Sequence, residues 1–267
     1  MFCCSIILHV SFIIFISLST TMTNLCVEDS PSIQTVARWN AEGVATLQKG
    51  NVIASKESLQ RSLEELRKIK RTTMVGTASS ASGTHSYNVE SIVLGQRLIN
   101  PAKTIEITHG GSSFFTLWNR AFLFESSLVN NATTSSSNNF TEVTSIILYN
   151  IAMCHFISGM IRNRSSQLKV ALKAFSMAAN TLLQDQENCV SSGKLHVFTL
   201  ALISNTGLLY EYFMDHGQAS KCLQPLQRWF DNPSVDDCFQ LGDSDVRELY
   251  ERVIVSSAWI VKPAPSA

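Results

Sequence analysis

Apolar residues return at three- and four-residue intervals along most of this chain, the period of a helix that buries one face. Val36, Trp39, Gly43, Val44 and Leu47 share one such face, and Leu59, Leu63, Leu66 and Ile69 share another, so the pattern predicts a helical pair over residues 32–71. Ser32, just after Pro31, is placed to cap the first helix, and Gly50-Asn51 supplies the turn. The basic run Arg67, Lys68, Lys70 and Arg71 suits the C-terminus of the second. Helical periodicity resumes at about 145–160, 166–183, 194–214, 217–230 and 244–261. In the last of these Val246, Leu249, Tyr250 and Val253 form the apolar stripe, Asp245 and Glu248 a capping pair, and Pro263 and Pro265 end the pattern.

Residues 72–145 interrupt the helices. The stretches 72–85 and 126–144 are rich in Ser, Thr and Asn, too polar to order themselves by burial, and read as mobile loops. Between them, residues 87–124 are hydrophobic. Two β-branched runs, Ser91-Ile92-Val93-Leu94 and Thr104-Ile105-Glu106-Ile107-Thr108, are parted by Asn100-Pro101 and fit a small β-hairpin. Phe114, Phe115, Trp118, Ala121 and Phe122 fit a helix face, while Phe114, Trp118, Phe122 and Phe124 also share one side of a strand; both readings stand. The fold class expected is all-α, with helical hairpins over 32–71 and 146–261 and a small β-hairpin insertion.

Composition narrows the function. With 267 residues and 45% hydrophobic content the chain builds a real core, and six prolines with twelve glycines favour helices over a many-turned sandwich. Twenty-one basic and twenty-one acidic residues cancel, so no overall field exists to hold a nucleic-acid backbone, and nucleic acid is not expected as a partner. The seven cysteines (Cys3, Cys4, Cys26, Cys154, Cys189, Cys222 and Cys238) contain no C-x-x-C pair, and most read as small buried apolar side chains. Cys189 and Cys238 fall in expected loops, where they are available to pair if the chain is exported.

Residues 1–21 open with an apolar run, MFCCSIILHVSFIIFISL, the length of a signal-peptide core, and a membrane is expected as partner only through that run. No basic residue precedes it, no small-x-small site follows it, and Met22 stands just beyond, so secretion and a cytoplasmic product starting at Met22 both fit. The sequons at Asn131, Asn139 and Asn163 are candidate N-glycosylation sites under the first reading.

The helical pairs repeat. In the first, Trp39 and Gly43 are followed by Ser55, Leu59 and Ser62; in the third, Ile203, Gly207 and Tyr210 are followed by Ala219 and Leu223, with Leu226 at the last small position. The middle pair has Leu148, Ile151, Ala152, His155 and Gly159, then Ala171, Phe175 and Ala178 about seven residues late, which suggests a loop insertion at 162–166. Small residues let paired helices approach, and bulky ones fill the space between pairs. In these phrases, WNAEGVATLQKG, ILYNIAMCHFISG and ALISNTGLLYEYFMDHGQA, the chain resembles the tetratricopeptide-like helical repeat family over some 130 residues. It is similar in particular to a divergent group of such proteins in diatoms, in which N-x-x-G-V and Y-N-x-A-x phrases recur.

The resemblance implies a short solenoid that acts as a protein-interaction scaffold, its first helices lining a groove for a peptide or protein. The groove positions are Asn40, Val44, Leu47, Tyr149, Met153, Phe156, Ser204, Leu208, Glu211 and Tyr212. The alternative for the aromatic members is plain core. Members that grip a peptide carboxylate use Lys, Arg and Asn; this chain has Asn40, Asn150 and Asn205 but Val44 and Ala201 where charged or polar groups are expected, so a carboxylate has no cationic seat. Because 75 or so residues part the first pair from the second, segment 87–124 must loop out or pack alongside, and its hydrophobicity favours packing.

No catalytic, cofactor or metal set is spelled out, and a non-enzyme without cofactor is expected. His109-Gly110-Gly111-Ser112 resembles an esterase oxyanion phrase, yet no G-x-S-x-G turn accompanies it. Cys154 and His155 are helix neighbours about 100 degrees apart, too divergent for a catalytic pair. His85, His196 and His216 lack partners at metal spacing, and no phosphate-binding glycine loop occurs. A second reading, of a different class, is a secreted or membrane-tethered structural glycoprotein with the same helical repeats.

Overall fold

The computed structural model describes residues 32–75, 85–94, 115, 117–128, 136–183 and 193–230, and these are mostly helical. Residues 1–21, the second β-branched run at 104–108, the phrase at 109–112, Asn131, Cys189, Cys238 and the helix expected at 244–261 lie outside them.

Six helices and two strands follow one another as α1 (Ile33–Gln48), α2 (Val52–Val75), β1 (His85–Val93), β2 (Arg120–Leu128), α3 (Ser136–Ile161), α4 (Ser165–Leu183), α5 (Gly193–Tyr212) and α6 (His216–Phe230). Ser32 caps α1 as its position predicts, its hydroxyl accepting the Thr35 amide at 3.2 Å. Each helix packs on the next in sequence, α1 on α2 through to α5 on α6.

Three of the connections have one geometry. Residues 49–51, 162–164 and 213–215 each return the chain in three residues, and the central one is left-handed every time: Gly50 at φ 82, Asn163 at φ 48 and Met214 at φ 59. In each, the residue after it donates its amide five residues back: Asn51 to the Thr46 carbonyl (3.0 Å), Arg164 to Gly159 (2.9 Å) and Asp215 to Tyr210 (2.9 Å). This is the helix-ending motif that pairs otherwise orphaned carbonyls. No loop insertion exists at 162–166, contrary to the sequence reading. Ser165 and Ser166 are already in α4, and the close approach of α3 to α4 falls at Gly159, where an added methyl would sit 2.8 Å from Leu168 Cγ. In the first pair the matching approach is at Gly43, where a methyl would lie 2.6 Å from Leu59 Cγ. Around it the small residues serve as hydrogen-bonding spacers: Ser55 Oγ donates to the Gly43 carbonyl at 2.7 Å, and Ser62 Oγ to that of Val36 at 2.8 Å.

Two boundaries and one burial differ from the periodicity: helix α2 runs on to Val75, so the basic run at 67–71 is not its last turn. Helix α3 begins at Ser136, inside the polar stretch read as a loop; within that stretch Val143 is buried, and the hydroxyls of Thr144 and of the adjoining Ser145 bond the carbonyls of Phe140 and Thr141. Trp39 is only half-buried. Asn40 takes the buried place on α1, and the indole lies at the edge with the guanidinium groups of Arg38 and Arg61 5.5 and 5.1 Å from it.

In the segment left open between helix and strand, the residues from Arg120 on form a strand. β1 and β2 pair antiparallel, Ser91 opposite Phe122 and Val93 opposite Arg120, so Ser91-Ile92-Val93 pairs with a run some thirty residues on. Residues 140–161 of α3 are long and apolar enough to cross a membrane, but their apolar window is 83% buried within the molecule, as in the central helix of a globular core.

Candidate functional site

Helices α1, α3 and α5 each carry one fully buried asparagine near mid-helix: Asn40, Asn150 and Asn205. A buried side-chain amide needs partners on both its oxygen and its nitrogen. Asn150 and Asn205 find them on the same extended run, residues 117–124, and Asn40 finds one there and one on Asn150. The Phe122 amide donates to Asn150 Oδ1 at 3.0 Å, and Asn150 Nδ2 donates to the Phe122 carbonyl at 2.7 Å. That carbonyl also accepts from Asn40 Nδ2 at 3.1 Å, while Asn40 Oδ1 accepts from Asn150 Nδ2 at 2.9 Å. Four residues earlier the Trp118 amide donates to Asn205 Oδ1 at 2.8 Å, and Asn205 Nδ2 donates to the Trp118 carbonyl at 3.1 Å. Two asparagines therefore each clasp both main-chain groups of one residue, as a neighbouring β-strand does, and the third braces one of them.

The geometry follows from strand alternation. In an antiparallel pair, successive residues aim their main-chain groups alternately at the partner and away from it. Phe122 and Trp118, an even number of residues apart, both aim theirs at the helices, leaving Ala121 and Leu123 to face β1. Helices α1 and α3 thus complete the edge of β2 that β1 does not cover, and α5 does the same for Trp118 just before it.

Side chains fill the space around these bonds. The Phe122 ring meets Tyr149 of α3 and Phe198 of α5 edge-on, at centroid distances of 5.2 and 5.1 Å, and Tyr149 in turn meets Phe175 of α4 at 5.2 Å. Phe115 lies directly on Gly207 of α5, in space that any Cβ there would occupy. The Tyr149 hydroxyl donates to the Trp118 carbonyl at 3.4 Å and accepts from Asn205 Nδ2 at 2.9 Å. Burial raises its pKa far above the usual phenol value, opposed by the nearby charge of Arg120 and the Asn205 bond, so it remains a neutral hydrogen-bonding group.

Of the ten groove positions read from the sequence, Asn40, Val44, Leu47, Tyr149, Met153, Phe156, Ser204 and Leu208 are buried, and Glu211 and Tyr212 at the end of α5 are half-buried. Asn40 and Tyr149 touch the chain's own extended segment directly. The sequence also pointed to Asn150 and Asn205 as counterparts of a clamp; they hold a main chain here. It did not identify Trp118 and Phe122 as what they hold. Val44 and Ala201, at the places expected to be charged or polar, are both fully buried. Asn163 is exposed at the turn between α3 and α4, and Asn139 falls within α3.

The other candidates separate. The Cys154 thiol lies 3.2 Å from Ser55 Oγ on α2, whereas His155 Nδ1 meets Gln167 Oε1 on α4 at 2.8 Å, so the two neighbours serve different helices. Burial pushes the Cys154 pKa up to about 11, with Ser55 and Lys56 opposing, and that of Cys222 up to about 11 as well. Burial lowers the His155 pKa, against the Gln167 bond, and its Nε2 is buried without a partner. His216 is exposed at the start of α6. Among the described residues no three His, Cys, Asp or Glu side chains are grouped to hold a metal. No protein-family model, curated protein or solved structure matches the chain.

Proposed function

We propose that this protein is a non-catalytic interaction scaffold of the tetratricopeptide-like kind, whose first helices α1, α3 and α5 form a surface that takes extended polypeptide. The observation that supports this reading is the set of asparagines on those helices, each with its amide turned to the main chain of an extended run. Side-chain amides in that arrangement recognise backbone, which every peptide has, and leave side-chain pockets to supply selectivity. Partners are therefore proteins or peptides. The balanced charge of the chain supports no nucleic-acid partner.

Tyr212, half-buried at the end of α5, offers a position from which to test this. A photo-crosslinking benzoylphenylalanine replaces Tyr212 in the tagged full-length chain, expressed in the cells that make it, with the exposed Glu57 of α2 as control position. A discrete protein adduct from position 212 and none from 57 is expected. Identical adducts from both positions, or none from either, rule the surface out.

The exposed sequon at Asn163 favours a second reading, a secreted glycoprotein with the same fold. A glycosidase-sensitive mass at Asn163 in the native protein supports it, and an unmodified Asn163 removes it.

A further inference from the structure

We infer that Phe115 and residues 117–124 act as a ligand held in cis, and that the same surface accepts in trans a strand with an aromatic residue at the Phe122 position and another seven residues before it. The inference rests on the reading of α1, α3 and α5 as a peptide-binding surface and names its ligand.

Three observations carry it. First, the helices hold the segment by its main chain. The bonds from Asn40, Asn150 and Asn205 to Phe122 and Trp118 involve none of those residues' side-chain atoms, so any strand in this register satisfies them equally. Second, the side chains that the helices receive at Phe122 and Phe115 are both aromatic. The Phe122 ring fits between Tyr149 and Phe198, and Phe115 rests on Gly207, a surface without a Cβ. Edge-to-face contacts of this sort select flat aromatic groups. Third, the resident strand is an imperfect fit. Asn119, between the two clasped residues, donates Nδ2 to the Leu94 carbonyl at 2.6 Å, but its Oδ1 is buried with no partner. A buried acceptor without a donor weakens the resident strand relative to one lacking that group.

An incoming strand finds both its edges provided for. The asparagines supply one, and β1, released from β2, supplies the other through the main-chain groups that now face Ala121 and Leu123. The tethered strand competes at the high effective concentration of an attached ligand, so the resting protein favours the closed form and a partner strand must be abundant or a better fit.

Exchange is testable in the purified full-length chain. Hydrogen exchange followed by NMR compares the Trp118 and Phe122 amides, bonded to asparagines, with the Met153 amide inside α3. A releasable strand gives Trp118 and Phe122 exchange at least about ten-fold faster than Met153 under native conditions, through partial opening. Equal exchange of all three, occurring only on global unfolding, makes the segment permanent core and overturns the inference.

Binding is then read by anisotropy with a fluorescent peptide of residues 115–124, FTLWNRAFLF, and a scrambled control. Weakening the tethered competitor with Phe122→Ser, helix content being checked by circular dichroism, is expected to tighten peptide binding at least about ten-fold over the unaltered chain. Saturable binding of the ordered peptide alone supports the inference; no binding to a folded Phe122→Ser chain, or equal binding of the scrambled peptide, overturns it. If Phe122→Ser does not fold, the exchange comparison in the unaltered chain decides. A partner crosslinked at position 212 together with failure here leaves the scaffold reading standing and removes only the cis ligand.

Discussion

Asn150 and Phe122 exchange two hydrogen bonds, amide to Oδ1 at 3.0 Å and Nδ2 to carbonyl at 2.7 Å, across 28 positions of sequence. A helix side chain here does what a strand does, and removing it strands a buried N–H. Asn150→Ala is expected to destabilise the protein by about 2–4 kcal/mol, since the bonds are lost and the exposed groups of Phe122 stay in an apolar setting. Asn150→Asp removes both Nδ2 bonds while adding a charge, and costs at least as much. Denaturant midpoints with unchanged slopes check both; a loss of under about 0.5 kcal/mol in either variant would show that the clasp is not formed.

Gly43 sets how closely α1 approaches α2. A methyl there falls 2.6 Å from Leu59 Cγ and 2.8 Å from Cδ2, with the Ser55 carbonyl at 3.2 Å, and Leu59 is fully buried with nowhere to turn. Gly43→Ala is expected to cost about 1–3 kcal/mol by overpacking. Leu59→Ala vacates the same space, so Gly43→Ala should cost less in that background, with a coupling of about 0.5 kcal/mol or more. Strict additivity would contradict the contact.

The three equivalent turns give a prediction with opposite signs. Met214 is left-handed at φ 59 and 61% exposed, so its side chain gains little from burial and its backbone is strained. Relief of about 1–2 kcal/mol by Met214→Gly outweighs the entropy of a glycine in the unfolded chain. Gly50→Ala, at φ 82, imposes the same strain and is expected to destabilise. Thermal melts of the two variants should move in opposite directions from the unaltered protein.

Stability is bounded by pH on both sides. Burial raises the Cys154 and Cys222 thiols from an ordinary 9.0 to about 11, so between those values the folded state holds protons that the unfolded state has released. Their contribution is complete below pH 9 and falls as pH rises through 11, at up to about 1.4 kcal/mol per unit for each thiol. Burial lowers His155 instead, so the unfolded chain takes up the proton first and stability falls as pH drops below the ordinary imidazole range. His155→Phe should flatten the acid limb and Cys154→Ala should reduce the alkaline slope, both read from denaturation midpoints across pH. Unchanged limbs would contradict the burial of these groups.

Much of the helical framework was legible because its signals are local. Ser32, Gly50 and the small residues Gly43, Ser55 and Ser62 act within one hairpin, and their spacing alone places them. The pairing of Ser91 with Phe122 was not, since register between distant strands depends on what covers each face, and Trp118 and Phe122 suit a helix as well as a strand. Trp39 misled for a related reason: a large aromatic suits a core, but two arginines give it a place at the surface edge. Asn40, Asn150 and Asn205 were visible as a set. What they hold was not, because a side-chain amide accepts main chain from any segment that reaches it.

The chain's own strand occupies the asparagine-lined surface. In isotope-labelled protein, nuclear Overhauser contacts between the Asn150 side-chain amide protons and the Phe122 backbone amide, and between those of Asn205 and the Trp118 amide, test it most directly. Both contacts are expected, with the Asn150 and Asn205 side-chain protons slow to exchange with water. Side-chain amides that exchange at free rates and show no contact with Phe122 or Trp118 would contradict it.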